Sequence, residues 1–189
     1  MTQAIYLASA SPRRKQLLSR LPLEFEQFSV DLDETPHTGE SAEQLVCRLA
    51  SEKAQAGVKI AKNDWPVLGS DTIVVLDGKI LGKPVDKSDA MAMLAGLSGR
   101  THQVMTAIAF ANNTKVLCEL VTTEVSFKEL SAEEIEQYWQ SGEPTDKAGA
   151  YGIQGLAGRF VTNINGSYFA VMGLPLYETQ ALLTRFLKD

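Results

Sequence analysis

The spacing of hydrophobic and polar residues changes several times along the chain, and each change predicts a switch between strand and helix. Apolar runs or two-residue alternation predict strands at residues 4–8, 25–30, 67–76, 79–81, 101–111 and 115–128. Spacings of three and four residues predict helices at residues 12–21, 41–61, 88–97 and 131–140, and a last helix that begins at Pro175. Hairpins mixed with strand–helix–strand segments predict an α/β fold on a mixed central sheet flanked by helices.

Capping side chains mark where several helices begin. Ser11 precedes Pro12, which suits a helix start because the N–H that proline lacks would be unpaired there. Two further pairs have the capping-box spacing, namely Ser41 with Gln44 and Ser131 with Glu134.

Turn dipeptides join the predicted strands. Asp77-Gly78 and Asn112-Asn113 each predict a hairpin. Asn165-Gly166 predicts a turn between two more strands, at residues 160–163 and 168–171.

Composition and charge narrow the class of protein. The 189 residues, 44% hydrophobic and 22% charged, are expected to form one globular domain over residues 1–189. A formal net charge of −5 argues against a stable nucleic-acid partner, although it does not exclude a local basic pocket. No apolar run is long enough for a membrane span, and the first charges follow the N-terminal apolar run, unlike in a secretory signal. We therefore expect a cytoplasmic protein.

The reactive residue types exclude several chemistries. Cys47 and Cys118 are expected to be buried free thiols, and His37 and His102 are too far apart in sequence to suggest a histidine metal site. No Ser-His-Asp arrangement and no G-x-x-x-x-G-K-[ST] loop can be argued. The remaining carboxylates, lysines and arginines suit metal-assisted phosphoryl chemistry on water.

The segment from Ser9 to Arg14 is the first candidate site. It places two hydroxyls, the guanidiniums of Arg13 and Arg14 and unpaired backbone N–H groups at one helix N-terminus, which suits a phosphate. Solvated arginines beside a capping serine are the alternative. Arginine in a first turn opposes the helix dipole, however, which favours an anionic partner.

Asp71 and Lys53 are the next candidates, because each falls where a charge is costly. Asp71 lies inside a predicted central strand and could be a ligand for a hard cation, a general base or a salt-bridged structural residue. Lys53 shares a helix face with Leu49 and Ala50. It is either a lysine reaching towards a phosphate or one at the edge of the core.

Three loops complete the candidates. Lys83 follows the Asp77-Gly78 hairpin, and Gln154 lies in a glycine-containing loop where its amide could read a base edge. The acidic loop at residues 31–40 contains two possible metal ligands, Asp33 and Glu34. Lys147 is a further basic candidate. Each of these has a solvated surface loop as its alternative.

Six motifs in order resemble the Maf family of nucleoside triphosphate pyrophosphatases over essentially the whole chain. They are Leu7-Ala8-Ser9-Ala10-Ser11-Pro12-Arg13-Arg14, Glu52-Lys53-Ala54, Gly69-Ser70-Asp71-Thr72, Leu81-Gly82-Lys83-Pro84, Ser98-Gly99-Arg100-Thr101-His102 and the loop from Asp146 to Gly155. The resemblance implies a fold similar to inosine triphosphate pyrophosphatases, with two lobes around a cleft, and a homodimer. It also implies hydrolysis of a nucleoside triphosphate to the monophosphate and pyrophosphate with Mg²⁺ or Mn²⁺.

The resemblance assigns roles to individual residues. The family's catalytic aspartate falls on Asp71, which would also bind the metal together with Glu34; Asp33 is the rival of Glu34. Its phosphate-binding positions fall on Ser9, Arg13, Arg14, Lys53 and Lys83.

Three positions separate the branches of this family by base. Here they are Arg13, Thr72 and Gln154, which are typical of the branch acting on dTTP and UTP, with modified pyrimidine nucleotides as further house-cleaning substrates. Two alternatives stay open: the 7-methyl-GTP branch, and a non-catalytic nucleotide-binding or nucleic-acid-binding regulator of septum formation.

Overall fold

The computed structural model describes residues 3–188 and contains both strands and helices, interspersed along the chain. Its strands are β1 (Ala4–Ala8), β2 (Glu24–Phe28), β3 (Val67–Leu76), β4 (Lys79–Leu81), β5 (Thr101–Ala111), β6 (Val116–Phe127) and β7 (Val161–Asn165). Its α-helices are α1 (Pro12–Leu18), α2 (Ala42–Ile60), α3 (Lys87–Leu97), α4 (Ala132–Gln140), α5 (Tyr168–Met172) and α6 (Leu176–Lys188). Short 3-10 turns fill much of the segment between α4 and β7.

The strands form a mixed sheet, as the sequence predicts. Within the described residues the order is β2-β1-β3-β5-β6-β7, with β4 paired to β3. Strand β1 runs parallel to both β2 and β3, whereas β3–β4 and β6–β7 are antiparallel. The α/β fold class with a mixed central sheet is therefore confirmed.

The chain divides into two compact units, in agreement with the two predicted lobes. The first unit comprises residues 3–71, Thr106–Val121 and residues 173–188. The second comprises Thr72–Met105 and Thr122–Met172.

Each unit buries its own apolar side chains. In the first, a cluster of Tyr6, Ala8 and Val67 packs against Phe28 and Trp65. In the second, a larger cluster is built on β3, β6, helices α3 and α4 and the segment before β7, and its aromatic members are Phe127, Tyr138, Tyr151 and Phe160.

The capping residues predicted from the sequence mark the starts of three helices correctly. Ser11 caps α1 by accepting the N–H of Arg14, and both capping boxes form as predicted. Helix α1 is shorter than expected and ends at Leu18.

Residues 168–171, predicted as a strand, lie instead in helix α5, so that prediction was wrong. Ser167 explains the difference, because its Oγ accepts the N–H of Ala170 and its carbonyl oxygen accepts the N–H of Val171. A five-residue apolar run has no periodicity that separates strand from helix.

The cysteines are free, but their expected burial is only partly correct. Cys47 on α2 is half-buried, whereas Cys118 on β6 is exposed. Within residues 3–188, none of the helices combines the length and the apolar character of a membrane span.

Candidate functional site

The turn from β1 into α1 is built around two serines of the first unit. Ser9 is buried, and its Oγ accepts the backbone N–H of Ser11 at 3.2 Å. The side-chain amide of Gln27 on β2 donates to the Ser9 carbonyl oxygen at 2.6 Å and ties the turn to that strand. Ser9, Ser11 and the Arg14 guanidinium therefore lie together at the start of α1, and Arg13 follows Pro12 in the first turn of the helix.

Arg14 points back across this turn rather than into solvent. Its Nε donates to the Gly173 carbonyl oxygen at 2.9 Å, and its Nη1 lies 3.5 Å from Ser9 Oγ. Burial lowers the pKa of Arg14, while the negative charge of Asp71 opposes that shift. A partly buried guanidinium beside a carboxylate is a fixed positive charge suited to an anionic ligand.

Lys53 links two carboxylates that are far apart in sequence. Its Nζ lies 2.7 Å from Asp71 Oδ1 and 2.6 Å from Glu34 Oε1. The Lys53 and Asp71 side chains are 12% and 10% exposed, whereas that of Glu34 is 53% exposed. Buried charges are tolerated when paired in this way, and the outer carboxylate remains within reach of solvent.

Gly69 allows β3 to approach α2 closely enough for this contact. A Cβ at Gly69 would fall 2.2 Å from the Ala50 carbonyl oxygen and 2.5 Å from the Ala54 backbone nitrogen. Those backbone atoms flank Lys53 on its helix. Any larger residue at position 69 would push the strand carrying Asp71 away from the helix carrying Lys53.

Arg48 clamps the acidic loop to the same helix. Its guanidinium contacts both carboxylate oxygens of Glu40, at 2.6 and 2.9 Å, and donates to the Thr35 carbonyl oxygen at 3.1 Å. These bonds and that of the arginine to Glu52 raise the pKa of Arg48, and the same contact lowers the pKa of Glu40 to about 2. The clamp fixes the backbone immediately after Glu34.

The two acidic candidates of this loop have different partners. Asp33 Oδ1 accepts the Thr35 backbone N–H at 3.0 Å, and hydrogen bonds from the side chain and the backbone of Thr35 lower the pKa of Asp33. Glu34 instead reaches Lys53. Of the two, Glu34 is the one whose carboxylate joins the Asp71 cluster.

The arrangement of carboxylates fits a divalent cation that is held mostly by other ligands. In residues 3–188 no group of three or more His, Cys, Asp or Glu side chains could hold a metal ion. Mg²⁺ commonly binds proteins through one or two carboxylates and takes its other ligands from water and substrate phosphates. Glu34 and Asp71, which both contact the ammonium group of Lys53, provide such a pair.

The remaining candidates belong to the second unit. Thr72 follows Asp71 on β3, and the alternation of a strand turns their side chains to opposite faces. Lys83 is exposed in the turn after β4. The neighbouring Gly82 carbonyl oxygen accepts the N–H of Gly149 at 3.0 Å, which ties this turn to the glycine loop.

Gln154 is exposed at the tip of that loop, between Gly152, which is buried, and Gly155, which is exposed. The N–H of Gly155 donates to the Gly152 carbonyl oxygen at 3.0 Å and closes a turn around it. Lys147, an additional basic candidate, instead contacts the Glu143 carbonyl oxygen and Asp146 Oδ1, both at 2.6 Å.

A buried histidine supports the same loop. His102 Nε2 lies 2.8 Å from the hydroxyl of Tyr151, and burial lowers the pKa of His102 to about 4. Its ring packs edge-on against Phe127. The motif around His102 thus contributes support rather than a metal ligand.

Sequence reasoning missed Gln27, Arg48 and Glu143, which hold the site's loops in place. Apart from Glu52, the groups that their side chains contact lie between 5 and 18 residues away, as with Gln27 and Ser9 or Tyr138 and Glu143. No short motif marks such pairs. For Arg48, the charge complementarity with Glu52 at the next turn was the one readable signal.

Comparisons with known proteins agree with these motifs. A model of the family described as Maf-like protein matches residues 4–186. Curated proteins named "dTTP/UTP pyrophosphatase" include one from Pseudoalteromonas translucida, 62% identical with all of both chains covered. Another, from Aliivibrio fischeri, is 58% identical, with 99% of this chain and all of the relative covered. A third, from Salmonella typhimurium, is 58% identical, with 96% of this chain and 92% of the relative covered.

Solved structures give a weaker likeness. A "Nucleoside-triphosphatase / dITP/XTP pyrophosphatase" from Mycobacterium abscessus is 21% identical, covers 68% of this chain and 76% of its own, and has a TM-score of 0.44. That likeness is too low to bear on fold or activity. The family match and the full-length relatives are decisive by contrast, and the chain belongs to the family of Maf-like proteins.

Proposed function

We propose that this protein is a nucleoside triphosphate pyrophosphatase that hydrolyses dTTP and UTP to the monophosphate and pyrophosphate. The observation that carries the proposal is the cluster of Lys53 with Glu34 and Asp71, in the same unit as the arginine-bearing start of α1. The names of full-length relatives at 55 to 62% identity support the substrate class.

The triphosphate is bound by positive charge and by hydrogen-bond donors at the start of α1. Ser9, Arg13 and Arg14 supply them, and the N-terminus of α1 adds a partial positive charge. Lys53 and Lys83 are assigned to the same substrate by the motifs in which they lie. Neutralising the phosphates lowers the barrier to attack by water.

Glu34 and Asp71 would hold the divalent cation, Mg²⁺ or Mn²⁺. When bound, the cation supplies charge stabilisation at the phosphates and lowers the pKa of coordinated water. Glu34 approaches from the loop that Arg48 clamps and Asp71 from a buried strand, so both carboxylates extend from a restrained backbone.

Asp71 would orient or deprotonate the attacking water. Lys53, whose Nζ lies 2.7 Å from Asp71 Oδ1, holds the carboxylate in position. The water oxygen attacks the α-phosphorus in line, the bond to the bridging oxygen breaks, and pyrophosphate leaves with its charge balanced by the basic residues.

Base selection is assigned to Arg13, Thr72 and Gln154. The exposed amide of Gln154 offers both a donor and an acceptor to a pyrimidine edge.

The family resemblance also supports a homodimer in the cytoplasm, acting as one domain over residues 1–189 without a stable nucleic-acid or membrane partner.

A substrate panel tests the proposal. Purified protein with Mg²⁺ is given dTTP, UTP, dGTP and 7-methyl-GTP, and pyrophosphate release is measured for each. The proposal expects the highest kcat/KM for dTTP and UTP. Preference for 7-methyl-GTP would overturn the assignment of Arg13, Thr72 and Gln154, and nucleotide binding without turnover of any member would instead favour a non-catalytic regulator.

A further inference from the structure

Glu143, in the 3-10 turn after α4, is fixed at both carboxylate oxygens by groups of the second unit. Its Oε1 accepts the hydroxyl proton of Tyr138 at 2.8 Å, and its Oε2 accepts the backbone N–H of Leu156 at 2.9 Å. The fully buried Tyr138 hydroxyl in turn accepts the backbone N–H of Gly152 at 3.1 Å. One carboxylate therefore restrains, directly or through one phenol, two backbone N–H groups of the glycine loop.

These two N–H groups flank Gln154 symmetrically. Gly152 lies two residues before Gln154 and Leu156 two residues after it. The Gly155-to-Gly152 hydrogen bond closes the turn between them. The amide of Gln154 is thus presented from a backbone segment held at both ends by the same side chain.

Gly155 of this turn lies in close contact with Glu143. A Cβ at Gly155 would fall 2.3 Å from Glu143 Oε1 and 2.4 Å from its Cδ, whereas one at Gly152 would first meet Lys147 Cε at 2.9 Å and then Glu143 Oε1 at 3.2 Å. The backbone therefore lies directly against the carboxylate. Burial raises the pKa of Tyr138, which keeps its hydroxyl protonated and able to donate.

We propose that Glu143, acting with Tyr138, is a positioning residue that sets base selectivity by holding Gln154 in register with the substrate base. The inference rests on the proposed function, because it assigns Gln154 to base recognition. A hydrogen bond to a base is sensitive to displacements well below the width of an atom, so loosening this turn costs discrimination more than it costs phosphate binding.

The experiment measures selectivity, defined as the ratio of kcat/KM for dTTP to that for dGTP. In Glu143→Ala and Tyr138→Phe this ratio is expected to fall about tenfold, through kcat/KM for dTTP. Inhibition by inorganic pyrophosphate, which has no base, is expected to stay within about twofold of wild type in both variants. Glu136→Ala, which breaks an exposed ion pair with Lys87 in the same unit, is the matched control and keeps the wild-type ratio.

A double-mutant cycle with Gln154→Ala separates positioning from simple damage to the fold. If Glu143 acts through Gln154, Glu143→Ala has no further effect on the ratio once Gln154 is alanine. Glu143→Gln, which keeps the shape and one acceptor oxygen, is expected to give an intermediate ratio. Thermal unfolding of every variant shows whether enough folded protein is present, and Glu143→Gln provides the comparison if the alanine variant does not fold.

Three results would overturn the inference. An unchanged ratio in folded Glu143→Ala while Gln154→Ala loses selectivity contradicts it and leaves the proposed function intact. Additive effects of the two substitutions also contradict it, because they indicate independent action. An unchanged ratio in Gln154→Ala removes the base-reading role and, with it, both this inference and that part of the proposed function.

Discussion

The charged cluster of the first unit and the Gln154 turn of the second are built by different means. The cluster joins Lys53, Glu34 and Asp71 through direct ion pairs between side chains on a helix, a loop and a strand. The turn is shaped by the backbone hydrogen bond from Gly155 to Gly152, by the Leu156 N–H that donates to Glu143, and by Gly155 lying against that carboxylate. Charge organises the first region, and close packing organises the second.

This difference matches the two tasks of the proposed reaction. Phosphates are common to all nucleoside triphosphates and are recognised by charge, which tolerates small shifts of geometry. Bases differ only in the placement of donors and acceptors, which requires a fixed backbone. Substitutions in the cluster should therefore lower turnover of every nucleotide, whereas substitutions in the turn should change the ranking of nucleotides.

The largest effect is expected for Asp71→Asn. The amide keeps the size of the side chain and an oxygen facing Lys53 but loses the charge that accepts the proton of water, so kcat should fall about 1,000-fold for dTTP and UTP alike. Single-turnover pyrophosphate release measures it. Asp77→Asn, on an exposed ion pair of the second unit, is the control. Activity within about threefold of wild type in folded Asp71→Asn would remove the cluster from catalysis.

Low pH should lower the free energy of unfolding through His102, the buried residue that contacts Tyr151. The pKa of His102 is lowered from 6.5 to about 4 by burial, so the unfolded chain takes up its proton first as the pH falls. The contribution of neutral His102 to the free energy of unfolding is fully present above pH 6.5. It is lost progressively as the pH falls towards 4, a change of about 3 kcal/mol.

Denaturant unfolding from pH 7 to pH 4 checks this expectation. His102→Asn should reduce the pH dependence relative to wild type, and His37→Asn, at an exposed position, should not. Parallel curves for wild type and His102→Asn would show that His102 does not carry the dependence.

A smaller effect is expected when the acidic loop is released. Arg48→Ala removes the contacts to Glu40 and Thr35, so Glu34 is held less firmly and the half-saturating Mg²⁺ concentration should rise about tenfold. Binding of Mn²⁺ followed by electron paramagnetic resonance should weaken in parallel. Arg185→Ala, which breaks an exposed pair with Glu119 in the same unit, is the control. The dTTP-to-dGTP ratio should not change, and a changed ratio would mean that the two regions are not separable.

Much of the fold could be predicted because its signals are local. The capping boxes at Ser41 and Ser131 and the Asp77-Gly78 turn involve residues within a few positions of one another, and the structure contains all three. Helix α5 could not be predicted, because Ser167 and a short apolar run are compatible with strand and helix alike.

Individual members of the charged cluster could be picked out from the sequence, but their contacts could not. A buried Asp71 and an inward-facing Lys53 both signalled an unusual cost, and the structure pairs them. The choice of Glu34 over Asp33 depends on the path of a loop held by Arg48. Glu143 carries no motif, and its importance to the turn emerges only when Tyr138 and Leu156 are brought together.

The most direct test of the account is the position of the oxygen taken from water. dTTP is hydrolysed with Mg²⁺ in water enriched with the heavy oxygen isotope, and the products are separated and weighed by mass spectrometry. Attack at the α-phosphorus predicts that the label enters thymidine monophosphate and is absent from pyrophosphate. Label in pyrophosphate, or release of labelled orthophosphate, would contradict the central claim that the Asp71 cluster directs water to the α-phosphorus.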